Sequence, residues 1–130
     1  MCSSDLGWDS EKTAKIGGDA VNGSYFTNHY SEHEDRPAVK RFVEAYEKKY
    51  KKTPDAMAIL GYDAMHLMCD SIEKAGSTKG KDIRNALAST KDYPGASGTL
   101  TMDADRNAKK PIVVLKIVDG KFTFVKSVNP

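Results

Sequence analysis

The chain has 130 residues, with 20 Lys and Arg against 18 Asp and Glu, and 39% of its residues are hydrophobic. A chain of that length makes one domain that buries roughly two-thirds of its unfolded surface, and ordinary apolar content with balanced charge excludes disorder as its main state. A net charge of +2 argues against a nucleic-acid footprint, no apolar run approaches the roughly 20 residues of a membrane-spanning helix, and Cys2 and Cys69 make neither a disulfide framework nor a metal-ligand spacing.

In chain order, Met1 to Leu6 read like a translated sequencing adapter rather than a signal peptide, and are set aside from fold reasoning. Asp9 or Ser10 caps a short helix through Ile16, which Gly17 and Gly18 end. Gly23 to Thr27 has strand composition, and the polar residues from Asn28 onward form a loop up to Pro37, which suits a first helical turn. Val39, Phe42, Val43, Tyr46 and Tyr50 then line one stripe of a helix that Lys51 to Pro54 break. The next helix, from about Pro54 to Ala75, carries Met57, Ile59, Leu60, Ala64, Met65, Leu67, Met68 and Ile72 around most of its circumference and is expected to be largely buried. A third helix, Lys79 to Thr90, has only Ile83, Ala86 and Leu87 as an inner stripe.

The period then changes. Gly98 to Met102 is a short strand, Asp103 to Lys110 a polar turn, and Ile112 to Val118 a β-branched strand. Asp119-Gly120 joins it to Lys121–Val128 as a hairpin. Three consecutive helices without intervening strands do not build a parallel α/β sheet by themselves. The pattern reads as the tail of a larger α/β protein.

Motifs for chemistry fail on inspection. His29 and His33 lie four apart, but in a polar loop with no Glu after His29, and read as solvated histidines. His66 and Cys69 fall on the apolar helix and read as packing residues. Asp103-Ala104-Asp105-Arg106-Asn107 imitates a calcium loop, but Ala108 and Val114 stand where that loop needs a glycine and an acid. Asn22-Gly23-Ser24 is a glycosylation sequon only in a secretory eukaryotic setting, and Lys48, Lys49, Lys51 and Lys52 suit a helix C-terminus. Neither a P-loop nor a nucleophile elbow is present, so no catalytic residue, metal or cofactor is expected.

A resemblance makes sense of the order. Gly7-Trp8-Asp9-Ser10, Gly18 to Ser31, Phe42 to Tyr46, Thr53 to Ala56, Gly61-Tyr62-Asp63-Ala64, Tyr93-Pro94-Gly95, Ser97 to Asp103, Val114 to Ile117 and Gly120 to Phe122 together resemble the later part of a branched-chain amino-acid ABC-transporter substrate-binding protein. The resemblance implies an α/β fold, the C-terminal portion of a two-lobed type I periplasmic binding protein: three helices, a few strands and a terminal β-hairpin. It implies residues 7–27 as the end of lobe 2, 28–36 as a hinge crossing, 37–110 as completion of lobe 1, and 111–130 as a hairpin returning to lobe 2.

Function is implied in the same way: an extracytoplasmic, non-enzymatic protein that captures leucine, isoleucine or valine in an interlobe cleft and delivers it to an ABC permease. A sensory receptor domain of the same fold is the alternative, and a small domain that folds alone without binding is a third. A buried zwitterion needs a carboxylate for its ammonium, donors for its carboxylate and an apolar pocket for its side chain. The family places the ammonium partner just before the Gly-Trp pair, where this chain has Leu6. The remaining ligand-binding candidates are Tyr62, Trp8 and Asp9. Each has a second reading: a core tyrosine, a core tryptophan, and a helix cap.

Overall fold

The computed structural model describes residues 8–129, so the readings on Met1 to Leu6, and on Gly7, lie outside the described residues. The elements are α1 (Glu11–Gly17), a 3-10 turn (Gly18–Val21), β1 (Tyr25–Asn28), α2 (Pro37–Tyr50), α3 (Ala56–Ala75), α4 (Gly80–Ala88), β2 (Tyr93–Gly95), β3 (Gly98–Met102), β4 (Ala108–Lys109), β5 (Ile112–Val118) and β6 (Lys121–Val128). They sort into two units with separate cores.

The first unit is the antiparallel sheet β1-β5-β6 with α1 beside it. Strand β5 alternates half-buried and buried positions, and Val113, Leu115 and Ile117 point into a core shared with Phe26, Trp8, Val21, Phe122 and Phe124. Alternation of this kind is what a sheet with one covered face requires. Asp119 and Gly120 both take positive φ, 49° and 75°, which matches the twist of a two-residue hairpin turn. The Asp-Gly reading of the sequence is realised there.

The second unit holds α2, α3, α4 and the small antiparallel sheet β2-β3-β4. Its core is Tyr30, Val39, Phe42, Ile59 and Ala96, with Val43, Tyr46 and Ala58 against it. Pro37 opens α2 at its first turn, and Asp55 caps α3 by accepting from the Ala58 N–H at 2.8 Å. Strands β2 and β4, short edge strands, were not apparent from composition, because Pro94 and the polar run after Asp103 carry no strand signal.

Three expectations are corrected. Helix α3 is not largely buried: Met57, Tyr62, Met65 and Met68 are 51%, 45%, 64% and 39% exposed, because α4 and the β2–β3 turn cover only one side of it. His66 and Cys69, on the same uncovered side, are exposed rather than packed, and His66 stacks on Tyr62 at 4.3 Å. His29 is half-buried rather than solvated.

Candidate functional site: the cleft between the two units

A cleft of about 970 Å³ runs between the units. One wall is Asp9, Ser10 and Lys12 at the start of α1 with Phe122 behind them; the other is Lys51 to Asp55, the link from α2 to α3. Residues Tyr30 to His33 close one end. The lining mixes both charge signs with a few apolar groups.

Asp9 is the residue that spans it. Ser10, not Asp9, caps α1, its hydroxyl accepting from the Lys12 N–H at 3.3 Å. The Asp9 carboxylate instead accepts from the Ala56 N–H at 2.6 Å, at the first turn of α3, 47 residues away. A carboxylate suits that place, since the first N–H groups of a helix have no partner within it and carry partial positive charge. Burial raises the Asp9 pKa above its ordinary value, the Ala56 hydrogen bond opposes that, and the neighbouring Asp55 carboxylate adds to it. Tyr30, buried beside it, donates its hydroxyl proton to the Pro54 carbonyl.

Trp8 is half-buried with its ring 6.2 Å from Phe26, so it packs against the core of the first unit, next in sequence to Asp9 but not among the residues lining the cleft. Tyr62 lies elsewhere. It stands in a groove between α2 and α3, 5.1 Å from the Phe42 ring, with Tyr46, Arg41 and Pro94 lining the same hollow. The structure thus brings Trp8 and Asp9 together and separates them from Tyr62.

His29 sits at the inner end of β1, its burial and the Lys110 ammonium holding its pKa below the ordinary value while Asp9 opposes them. Its Nδ1 is buried and makes no hydrogen bond. Among the described residues no group of His, Cys, Asp and Glu is arranged to hold a metal ion. The Asp103 loop closes on itself, its carboxylate accepting from the Asp105 and Asn107 N–H groups at 2.9 and 2.8 Å.

The sequence reading passed over a second polar site. Asp63 is buried on the inner side of α3 and accepts from the Ala96 N–H at 2.7 Å, the Ser97 N–H at 2.8 Å and the Ser97 hydroxyl at 2.6 Å. A signal was available: Asp63 stands one turn from Ile59 and one from Leu67, in the stripe of α3 that faces the core. A carboxylate there must find buried donors.

The chain belongs to the periplasmic binding protein family, whose model matches residues 3–121. Its fold is part of a type I periplasmic binding protein. It is similar to a leucine-binding protein from Thermotoga maritima, with 39% identity and a TM-score of 0.85, the match covering 95% of this chain and 36% of that one. It is also similar to a branched-chain amino-acid transporter substrate-binding protein from Streptococcus pneumoniae solved with isoleucine, at 30% identity and a TM-score of 0.81, over 95% of this chain and 36% of that one. A solute-binding protein from R. palustris solved with benzoate shares the fold at 23% identity and a TM-score of 0.74, over 91% of this chain and 33% of that one. The chain therefore spans about a third of the length of these proteins. Among the described residues, no helix is long and apolar enough to cross a membrane.

Proposed function

We propose that this chain is part of an extracytoplasmic solute-binding protein that holds a branched-chain amino acid between two lobes and presents it to an ABC permease, and that it is not an enzyme. The observation that carries this reading is the 39% identity to a leucine-binding protein over almost the whole chain. Residues 7–27 and 111–130 belong to one lobe, 37–110 to the other, and 28–36 to a crossing between them. The separate cores of the two units support that division.

In this reading Asp9 stands in the cleft wall, where its carboxylate joins the two lobes through the Ala56 N–H and keeps acceptor sites for a ligand ammonium, while Trp8 packs behind it in the core of the first unit. Tyr62 has a role in the cleft only if the rest of the fold brings the α2–α3 groove to it. The uncovered side of α3, with Met57, Met65 and Met68, is the seat of the remaining two-thirds of the fold. Burying three methionines there would stabilise the assembled protein by several kcal/mol, at roughly 25 cal/mol per Å² of apolar surface.

Isothermal titration calorimetry tests the proposal. Leucine, isoleucine, valine and benzoate are titrated into the 130-residue chain, and into a protein that supplies the family's remaining length upstream of Gly7. The expected result is no saturable binding to the chain alone and saturable binding of the aliphatic amino acids to the longer protein. Sub-millimolar leucine binding by the chain alone overturns the division into lobes. Binding of benzoate alone by the longer protein overturns the amino-acid assignment.

A further inference from the structure

Among the described residues, two segments connect the units: residues 29–36, from β1 to α2, and residues 110–111, from β4 to β5. The extensive packing between elements lies within one unit or the other. One hydrogen bond crosses the cleft, from the Ala56 N–H to Asp9, and the rest of what sets the angle lies where the two segments come to rest.

Both segments come to rest on one turn, Ala96-Ser97-Gly98, between β2 and β3. From the first segment, Arg36 Nη1 donates to the Ala96 carbonyl at 3.4 Å. Arg36 is itself held by Glu34, with Nε and Nη2 donating to the two carboxylate oxygens at 3.0 Å each, and Glu34 accepts the Ser31 N–H at 3.0 Å. From the second segment, Lys110 Nζ donates to Ser97 Oγ at 2.5 Å. Pro111 closes on Gly98, where a Cβ would stand 3.2 Å from its Cδ and 3.8 Å from Arg36 Nη1, at a φ of +129° that favours glycine in any case. Asp63 fixes the turn from the α3 side through its three bonds to Ala96 and Ser97.

We propose that the Ala96-Ser97-Gly98 turn is a pivot block: Asp63 anchors it in the second unit, and the Lys110–Ser97 and Arg36–Ala96 bonds to the two connecting segments fix the angle between the sheets. Hydrogen bonds suit a pivot because water can replace them as the angle changes, whereas an apolar contact would have to open a core. Four charged groups, Asp63, Glu34, Arg36 and Lys110, balance one another around the turn, with His29 facing Lys110 from the end of β1. Burial, reinforced by Arg36, pushes the Lys110 amine down to about 8 against the favourable pull of Asp63 and Glu34. The tie from the second segment therefore weakens on mild alkalinisation.

Spin labels at Lys81→Cys and Lys126→Cys, in a background with Cys2 and Cys69 replaced by Ser, report the distance between α4 and β6. Double electron–electron resonance on the 130-residue chain should give one narrow distribution near pH 7. Lys110→Met and Ser97→Ala should each broaden it at least twofold while the circular dichroism spectrum stays native. A folded Lys110→Met variant with the parent's width overturns the proposal, as does a parent already as broad as the variants. Should both variants fail to fold, the unsubstituted labelled chain decides: broadening between about pH 7 and pH 9.5 supports the pivot, and an unchanged width refutes it. The pivot rests on the proposed function only in being the point about which a ligand cleft closes. A narrow distribution that broadens as expected, in a protein that binds no amino acid at full length, refutes the function and leaves the pivot standing.

Discussion

Asp9 and Asp63 are both helix-associated carboxylates, yet their surroundings give them different consequences. Asp9→Ala strips the acceptor from the first turn of α3 and should cost about 0.5–2 kcal/mol in urea unfolding, the range for a lost helix cap. Asp9→Asn should show the opposite sign as pH rises. The Asp9 pKa is raised in the folded chain, so the stability it contributes is complete below its unfolded value and declines as pH rises through the folded one. The Asn variant escapes that decline, so its stability relative to the parent, read from urea midpoints, should increase as pH rises above the ordinary 3.8. Asp63→Ala leaves two N–H groups and a hydroxyl buried without their acceptor. Each such group costs about 1–3 kcal/mol, so a loss of at least about 3 kcal/mol is expected from the urea midpoint. Lys110 adds a third residue-scale prediction. Its amine is neutral above the ordinary 10.5 in both states and pays for burial once it is charged in the folded chain, so the fold should gain stability as pH rises from about 8 to about 10.5, and Lys110→Met should flatten that rise.

At the scale of elements, helix boundaries were legible wherever a single residue type answers a backbone need. Pro37 opens α2 and Gly76 closes α3 at φ 58°, whereas the Asp55 cap of α3 was not apparent, the helix being expected from about Pro54. Helix α2 ends differently, with Lys51 in the left-handed region at φ 57° and its N–H on the Glu47 carbonyl. Lys51→Gly should therefore stabilise the chain by about 0.5–1 kcal/mol, because glycine adopts that conformation without the Cβ penalty; the thermal midpoint checks it. Strands β2 and β4 were not legible. They exist because the β3 ladder and the Asp63 anchor hold them in place, and neither is a local property of Tyr93 to Gly95 or of Ala108 and Lys109.

For the whole molecule, the uncovered side of α3 is the feature that asks for a partner. Met65 is 64% exposed in this chain, so Met65→Asp should change the urea stability of the 130 residues by no more than about 0.5 kcal/mol. In a protein carrying the rest of the fold the same substitution should destabilise by about 2 kcal/mol or more, because it would bury an unpaired carboxylate. Equal effects in the two proteins would show that the remaining fold does not seat on α3. Limited proteolysis gives an independent check: the isolated chain should be cut within α3 faster than the longer protein.

The order of the helices and longer strands, the terminal hairpin and the helix stops were determined by the sequence alone, because they depend on side-chain periodicity and on the backbone freedom of single residues such as Gly76 and Gly120. Tertiary structure decided which side of α3 is covered, which helix Asp9 serves, and that Asp63, Ser97, Lys110 and Arg36 meet at one turn. These are contacts between residues 13 to 60 positions apart, and no local pattern encodes a meeting that depends on how two units are set against each other.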